Sequence, residues 1–513
     1  MSLSGRSLTL LSSSLFSGVV YILLFGCSVA YAVYYSLDWP LMHDGAVMHY
    51  IAWRILEGSA PYRDIFEADM PGSFLLHMLC LSVFGHGDLA FRLFDLFFCL
   101  LTAGAIIAIG WRQSKYYSFA GALFYIAFHL SWGATSMAER DFLMVPFILC
   151  ATYALRAFFE NPEKSGFMLL FGFLVGCAFW IKPFILFFVL LATLAVLFQP
   201  CLWKQKIIAL VQAGAGILIP AVLVHIWLYW LGALPAFYDI LFNFTLSTYP
   251  YLQKFSWHYT LLFLMFSIYS FSILTFLMYT RSSASFTDKT ILLIGLLYGY
   301  LHFYAQGKGS WYHLYPLAAF MILYFTLILP RLNCKRWEMG IVHSITIIIC
   351  IHFSPLQALS KENLDEYKKT FSLAQTEATA NEVDDALRVV PLSIREPYLS
   401  GHPHQAVQFF STLSFLWNVA YRQGWIVPSR QIMPFSLYCV FHSPYLDALA
   451  VDLFHDLTTM KPLVIIISSE SWPYREALVY HTIDTQPPWP EFFAENYHLT
   501  KEAEKYRVYA RIK

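Results

Sequence analysis

The chain has 513 residues, of which 58% are hydrophobic and 18% aromatic, whereas only 13% are charged. Soluble domains carry about 25% charged residues, so this composition excludes an ordinary soluble protein and indicates one whose apolar surface is covered by a bilayer. The formal net charge is zero. The charge balance therefore gives no reason to predict a basic face that binds nucleic acid.

Long apolar runs alternate with short polar connections in residues 1 to about 354. Five connections are rich in Lys or Arg, and the positive-inside rule places them in the cytoplasm. This predicts an α-helical polytopic domain with about eleven spans, in a range of ten to thirteen, and with its amino terminus inside. The predicted spans are 15–36, 89–110, 117–134, 142–159, 166–181, 184–199, 207–231, 258–280, 290–305, 311–329 and 338–353.

Residues 73–84 are a test of this span count. The segment is apolar but shorter than the roughly 20 residues that a spanning helix needs. If it crossed the membrane, every later basic loop would face outward. We therefore predict an interfacial or re-entrant helix here.

The predicted topology brings several polar segments to the extracytoplasmic face. They are the first loop (37–72), the turn MAERD (137–141), the turn IKP (181–183), the segment AQGKGSWYH (305–313) and the loop 232–256. Charged groups are costly inside a bilayer. Polar residues gathered at the mouth of a helical bundle are therefore where chemistry is expected.

The first loop carries the most informative stretch, HDGAVMHYIAWRILEGSAPYRDIFEADMPGSF (43–74). Asp44 stands at the start of a predicted interfacial helix, which Gly58 and Pro61 end. Asp44, the element GSAPYRD (58–64) and the turn DMPG (69–72) together resemble the first extracytoplasmic loop of GT-C glycosyltransferases. The resemblance is to the family 39 protein mannosyltransferases and to the aminoarabinose transferases of lipid A. It covers roughly the first 330 residues in layout and only short motifs in detail.

Further motifs extend the resemblance. Glu139 in AERDFLMVP (138–146) stands where the family has an acidic residue, with Asp141 as second choice. The turn WIKP (180–183) and the segment QGKGSWYHLYP (306–316) resemble elements that flank the family's lipid-phosphate site. One departure is Met70, which replaces a Lys often found before the prolines of the family. The phosphate contacts of that Lys are not carried over.

The resemblance implies transfer of a sugar from a polyprenyl phosphate to a hydroxyl. Asp44 is the candidate base, because a carboxylate can orient the acceptor oxygen and take its proton. Glu139 is the second catalytic candidate. Cations would stabilise the leaving phosphate, and Lys182, Lys308, His313 and Arg63 are the candidates for this. The candidate substrate-binding residues are Arg63, Asp64, Asp69, Arg140, Lys182, Lys308, Tyr312 and His313.

The same residues also have purely structural interpretations. Asp44 could be a helix cap, and Lys182 the polar corner of a helical hairpin. At least two of Arg63, Asp64, Glu67 and Asp69 are expected to form a solvated, salt-bridged loop. Glu139, Arg140 and Asp141 could be a snorkelling cluster, and Trp311, Tyr312 and Tyr315 an interfacial aromatic belt.

No cofactor is assigned from the sequence. Some GT-C enzymes use a divalent metal ion, which leaves one open here. The spacing of His43, His49 and His313 is not a recognisable ligand set, so the sequence disfavours a metal site. Nine scattered cysteines form no CxxC pair and predict neither disulfides nor a cysteine metal site.

Residues 355–513 differ in composition and are predicted to form a small soluble α/β domain, here called the tail. Residues 361–387 read as a polar helix, and 461–469 and 506–512 as strands. The topology places the tail, like the first loop, on the extracytoplasmic side.

Three function classes follow from this organisation. The favoured one is a glycosyltransferase with a polyprenyl-phosphate-sugar donor and a lipid, glycan or protein acceptor, in a bacterial inner membrane with its tail in the periplasm. The alternative is a transporter or flippase of a lipid-linked sugar. Transporters usually show internal repeats, and none is found here. The third class, a scaffold that binds a partner through the tail, is disfavoured because acidic and basic residues gather on one face.

Overall fold

The computed structural model describes Leu23 and residues 25–252, 257–333, 373–402, 404–410, 414–438, 443–468, 478–503 and 506–513. The predicted span 338–353 and the domain boundary near residue 354 lie outside the described residues. So do the beginnings of the predicted span 15–36 and of the predicted helix 361–387.

Helices occupy the positions of nine predicted spans. Their bounds are Asp88–Gly110, Lys115–Ser131, Arg140–Leu143 with Val145–Glu160, Gly166–Ile181, Leu186–Phe198, Trp203–Trp230, Trp257–Thr280, Phe286–Gln306 and Tyr315–Ile328. Among the described residues, four segments are long and apolar enough to cross a membrane: Asp88–Gly110, Arg140–Glu160, Trp203–Trp230 and Trp311–Arg331. Shorter apolar helices accompany them, so the number of spans stays a prediction.

Two helices, one in the first loop and one directly after it, precede the bundle. The first-loop helix, His43–Leu56, begins after an extended Met42. The second, Pro71–Val83, corresponds to the predicted short apolar helix. Proline suits the first turn because its fixed φ is helical and the amide it lacks has no intrahelical partner there. Gly85 and Gly87 follow with φ of 90° and 95° and turn the chain into the next helix.

Small residues allow the helices Gly166–Ile181 and Trp203–Trp230 to pack backbone against backbone. A Cβ on Gly172 would lie 2.0 Å from the carbonyl oxygen of Ala213, and one on Gly216 would lie 2.3 Å from that of Leu169. Glycine at such contacts is typical of membrane helices. The close packing fixes the helix that ends at the Lys182 turn.

A buried ion cluster lies at one end of the bundle. The side chain of Asp288 is fully buried, with Arg156 Nη2 at 3.0 Å and Arg331 Nη1 at 3.1 Å from its two oxygens. Gln113 donates a further hydrogen bond at 3.3 Å. Charge in an apolar setting requires such pairing. Asp288 begins the helix that carries His302, which is about 21 Å away at the helical rise of 1.5 Å per residue.

The tail contains a four-stranded sheet with helices around it. The strand order is Val407–Phe410, Val464–Ser468, Tyr506–Arg511, Tyr497–Glu502, with the first pair parallel and the others antiparallel. The predicted strands at 461–469 and 506–512 are confirmed. The helices are Leu373–Val389, Leu392–Gly401, Ser414–Gln423, Phe435–Tyr438, Pro444–Met460, Leu478–Thr485 and Trp489–Asn496.

Backbone and side-chain hydrogen bonds join the tail to the first loop. Tyr50 donates its hydroxyl to the carbonyl of Trp425 at 3.2 Å and accepts from the amide of Val427 at 3.0 Å. The amide of Phe66 donates to the carbonyl of Arg430 at 2.7 Å. The tail therefore packs directly on the loop that carries Asp44.

Candidate functional site

A glycine brings Asp44 to the turn that carries Glu139 and Arg140. Gly45 follows Asp44 on the first-loop helix, and a Cβ added to it would lie 2.9 Å from the ring of Phe91 and 3.2 Å from the carbonyl oxygen of Met137. A larger side chain would push the helix away. The contact explains why glycine follows the predicted base.

Arg140 links two acidic residues of the first loop. Its Nη2 atom lies 3.2 Å from Asp44 Oδ2, and its Nη1 atom forms an ion pair with Asp69. His43 lies on the other side of Asp44, where its Nδ1 atom is 2.6 Å from Glu139 Oε1 and 3.8 Å from Asp44 Oδ1. The predicted residues Asp44, Asp69, Glu139 and Arg140 thus form one group.

The carboxyls of this group differ in protonation. Burial would raise the pKa of Asp44, but His43 and Arg140 hold it below its usual value. Burial, followed by the charge of Asp44, raises the pKa of Glu139 to about 7. Burial would lower the pKa of His43, but Asp44 and Glu139 outweigh it and raise the pKa to about 9. Near neutral pH, Asp44 is ionised, His43 is protonated and Glu139 titrates.

Among the described residues, His43, Asp44 and Glu139 have ligand atoms close enough to hold a metal ion, all within 4.8 Å. The three histidines that the sequence disfavoured as a ligand set lie apart, since His313 contacts Asp141 and His49 is buried beside His77. The donors present fit a divalent ion poorly. The ring nitrogen and carboxylate that would bind it are hydrogen-bonded to each other at 2.6 Å, and Arg140 holds Asp44 at 3.2 Å.

A second group of polar side chains surrounds Asp141, whose side chain is fully buried. Lys182 Nζ lies 2.5 Å from Asp141 Oδ2, and His302 Nε2 lies 2.5 Å from Oδ1. His313 Nδ1 is 3.2 Å away and Gln306 donates at 3.3 Å. Asp141 therefore organises the cations and hydrogen-bond donors that the sequence placed on three separate segments.

A second glycine ties the first loop to the Lys182 turn. The helix Gly166–Ile181 ends where Lys182 becomes extended, with φ −155° and ψ 120°, before Pro183. A Cβ on Gly72 would lie 2.5 Å from the carbonyl carbon and oxygen of Trp180. The turn DMPG thus packs on the turn WIKP.

Aromatic rings and one further lysine complete the site. Lys182 Nζ lies 5.7 Å from the ring centroid of Tyr312, whose ring is 5.9 Å from that of His43. Lys308 Nζ lies 3.4 Å from the ring centroid of Tyr249. Burial, followed by the positive charges of Arg140 and Lys182, lowers the pKa of Lys308 to about 7, and Asp44 opposes them. Asp44 and Lys308 therefore share one side of the protein.

The structure does not bring Arg63 and Asp64 into this site. Arg63 Nε lies 2.7 Å from Asp64 Oδ1 in a pair whose side chains are 52% and 36% exposed. Arg63 also donates to the carbonyl of Leu231 at 3.1 Å. These contacts engage the guanidinium with Asp64 and Leu231, and its expected role at the leaving phosphate stays a prediction. Glu67, by contrast, is buried rather than solvated.

Several residues of the site were not predicted. His302 and Gln306 contact Asp141, and Tyr249 lies beside Lys308. An ionisable residue inside a predicted span is a functional signal, and it could have identified His302. Sequence offered no comparable signal for Tyr249, which is one aromatic residue among many.

An apolar cleft lies beside the Lys182 turn. Its volume is about 140 Å³, and residues of three helices line it, among them Val175, Trp180, Ile185 and Ile217. Trp180 and Ile185 stand on either side of Lys182 in the chain. The polar site therefore adjoins apolar space between helices.

Comparisons with known proteins bear on the family and the fold. Residues 69–230 match the dolichyl-phosphate-mannose-protein mannosyltransferase family. The fold is similar to that of ArnT from Cupriavidus metallidurans bound to undecaprenyl phosphate, with a TM-score of 0.60 and 12% identity over 96% of this chain and 98% of that chain. Its apo state gives a TM-score of 0.59 and 13% identity over the same shares. No curated protein sequence matches the chain.

These likenesses confirm the resemblance predicted from the first loop. The matched family segment begins at Asp69 and includes the turns that carry Glu139, Arg140 and Lys182. The structural likeness shows a fold of the GT-C type.

Proposed function

We propose that the chain is an integral membrane glycosyltransferase that moves a sugar from a polyprenyl-phosphate donor to a hydroxyl acceptor. One observation carries the proposal. A carboxylate, Asp44, shares a site with Arg140, Lys182 and Lys308 beside an apolar cleft. This combination suits a substrate that has a phosphate, a sugar and a lipid chain.

Asp44 supports the acceptor side of the reaction. The acceptor oxygen would attack the anomeric carbon while the bond from that carbon to the phosphate oxygen breaks. The bonding electron pair leaves with the phosphate, the acceptor proton passes to Asp44, and one displacement inverts the anomeric centre. The side chain of Asp44 is 36% exposed and can be reached, whereas that of Glu139 is fully buried. A positioned base contributes roughly 10²- to 10⁴-fold.

Lys182 and Lys308 support the donor side. A leaving phosphate needs no acid when fixed cations stabilise its charge. His313 lies beside Lys182, with its Nδ1 atom 3.2 Å from Asp141, and its buried Nε2 atom has no hydrogen-bond partner among the described residues. The apolar cleft beside Trp180 would take part of the polyprenyl chain. ArnT, which shares the fold, was solved with undecaprenyl phosphate.

The finer assignments follow from topology and chemistry. With the basic loops in the cytoplasm, the site opens on the periplasmic side of a bacterial inner membrane. The acceptor would be a lipid, a glycan or a protein. The proposed reaction is assigned no metal ion, because the donors around Asp44 fit one poorly.

The test is an assay of the purified full-length protein with a panel of undecaprenyl-phosphate-linked hexoses and pentoses labelled in the sugar. An extract of envelope lipids and glycans supplies acceptors. We expect one donor to be consumed with release of undecaprenyl phosphate. Asp44→Asn should lose roughly 10²- to 10⁴-fold in rate, whereas the matched control Asp64→Asn, outside the site, should stay near the wild-type rate.

Two results would overturn the proposal. If Asp44→Asn transferred sugar at the wild-type rate, the assigned base would be wrong. If the wild type moved a donor across vesicles without consuming it, the protein would be a flippase.

A further inference from the structure

Glu67 is a buried acid of the first loop that the proposed reaction does not use. Its side chain is only 3% exposed. Oε1 accepts a hydrogen bond from the amide of Ala68 at 2.7 Å. Among the described residues, Oε2 has no hydrogen-bond partner although it is buried. A buried acceptor without a donor is costly, so a bound group that donates a hydrogen bond to this atom would be favoured.

The backbone on both sides of Glu67 is fixed. The amide of Phe66 donates to the carbonyl of Arg430, and Phe66 forms a parallel bridge with Gln431. The carbonyl of Ala68 accepts from Thr245 Oγ1 at 3.3 Å. The tail and a second loop therefore hold the backbone from which the carboxyl projects.

Glu67 lies at the candidate site, two residues before Asp69, which forms an ion pair with Arg140. Burial raises its pKa to about 7, while the Ala68 amide and Arg140 oppose this and Asp44 adds to it. The same carboxyl acts on the hydroxyls of Tyr62 and Tyr249. Arg140 does not neutralise it, because the ion pairs of Arg140 go to Asp44 and Asp69.

Charge decides which part of a substrate Glu67 could contact. An ionised Glu67 would repel a phosphate, and the phosphate is assigned to Lys182, which contacts Asp141. The part of the donor near Asp44 is the sugar, since Asp44 takes the proton of the acceptor hydroxyl that attacks the anomeric carbon. Sugar hydroxyls are donors, and a buried carboxylate oxygen accepts from them with strong preference over a group that lacks the hydroxyl.

We propose that Glu67 Oε2 accepts a hydrogen bond from a hydroxyl of the transferred sugar and so helps to select that sugar. The inference rests on the proposed glycosyltransferase function. It adds a specificity-determining residue that was interpreted from the sequence as part of a solvated loop.

The test distinguishes a contact of Glu67 with the sugar from a contact with the phosphate. Binding of undecaprenyl phosphate, and of the undecaprenyl-phosphate-linked sugar that the wild type consumes, is measured on the full-length protein. Glu67→Gln keeps the size of the side chain and an oxygen for the Ala68 amide, but it places an amide donor at Oε2. We expect Kd and KM for the sugar-linked lipid to rise roughly 10- to 100-fold, with Kd for undecaprenyl phosphate unchanged within about twofold.

Further measurements exclude a merely structural role. Glu57→Gln, at an exposed end of the first-loop helix, is the matched control and should change neither constant. Deoxy analogues of the donor should identify one hydroxyl whose removal weakens the wild type but not Glu67→Gln. If Glu67→Gln does not fold, Glu67→Asp keeps the charge while withdrawing the oxygen, and it should show a smaller loss confined to the sugar-linked lipid.

The outcomes are distinct from those of the proposed function. If no donor is bound or consumed by the wild type, the proposed function fails. If the wild type consumes a donor and Glu67→Gln weakens both lipids equally, or neither, the inference about Glu67 is wrong. A fall in kcat with unchanged Kd and KM for the sugar-linked lipid would likewise overturn it, because the contact of Glu67 would then form only in the transition state.

Discussion

Asp44 and Asp141 provide a test of whether two neighbouring acids have different tasks. Asp141→Asn replaces an acceptor that serves four donors, Lys182, His302, His313 and Gln306, with one oxygen and one amide donor. The new amide group of the asparagine would then point its hydrogens at the Lys182 ammonium or at a histidine ring that needs an acceptor. The site is fully buried, so water would not relieve this contact. Breaking a buried pair by neutralising one partner costs about 3–5 kcal/mol.

Asp44→Asn makes the same chemical change in a different setting. The side chain of Asp44 is 36% exposed, and its partner Arg140 keeps a second ion pair with Asp69. Exposed pairs contribute about 0–1 kcal/mol. We therefore expect the free energy of unfolding to fall by at least about 2 kcal/mol more in Asp141→Asn than in Asp44→Asn.

Titration with a denaturing detergent, followed by circular dichroism, measures the two free energies in parallel with the rate of sugar transfer. Asp44→Asn should be stable and inactive, and Asp141→Asn unstable. Asp64→Asn, in an exposed ion pair, serves as the control for both. Equal stability of Asp44→Asn and Asp141→Asn would refute the view that Asp141 is the structural centre of the site.

Three further predictions test the packing, the charge and the tail. Gly216→Ala should reduce the folded yield after detergent extraction, because its Cβ would lie 2.3 Å from the backbone of a neighbouring helix. Gly214→Ala on the same helix is the control and should be neutral, because its Cβ would have nothing within 4 Å. The pKa of His43 is raised from 6.5 to about 9, so the stability it contributes is present below pH 6.5 and lost as pH rises to about 9. His43→Gln should lack this part of the decline in melting temperature, and an unchanged profile would contradict the assignment. Tyr50→Phe leaves the carbonyl of Trp425 and the amide of Val427 without the hydroxyl that they contact. Limited proteolysis should therefore cleave the tail faster than in the control Tyr116→Phe, which changes an exposed side chain. Equal cleavage rates would refute the role of Tyr50 in docking the tail.

Helix positions could be predicted because each depends on its own stretch of sequence. The run predicted at 166–181 forms the helix Gly166–Ile181, and that predicted at 290–305 lies within Phe286–Gln306. The basic loops predicted that Asp44 and Lys308 lie on the same side of the membrane. These inferences use local hydrophobicity and charge, which the fold does not change.

Pairings between segments could not be predicted in the same way. Arg63 and Arg140 look alike in the sequence, yet one pairs with its neighbour Asp64 and the other with Asp44, 96 positions away. The difference depends on where the first-loop helix crosses the bundle. The contacts of Gly45 and Gly72 set that crossing, and no periodicity reveals what a glycine touches.

The buried clusters at Asp288 and Asp141 bear on how a lipid could reach the site. Arg156, Asp288 and Arg331 join three helical segments at one end. The same segments carry Asp141, His302 and His313 at the other end, where these side chains contact one another. Ion pairs and hydrogen bonds therefore hold these three segments together at both ends. The lipid chain of the proposed donor would meet less resistance at the apolar cleft, which adjoins the Lys182 turn and is lined by Val175, Trp180 and Ile217.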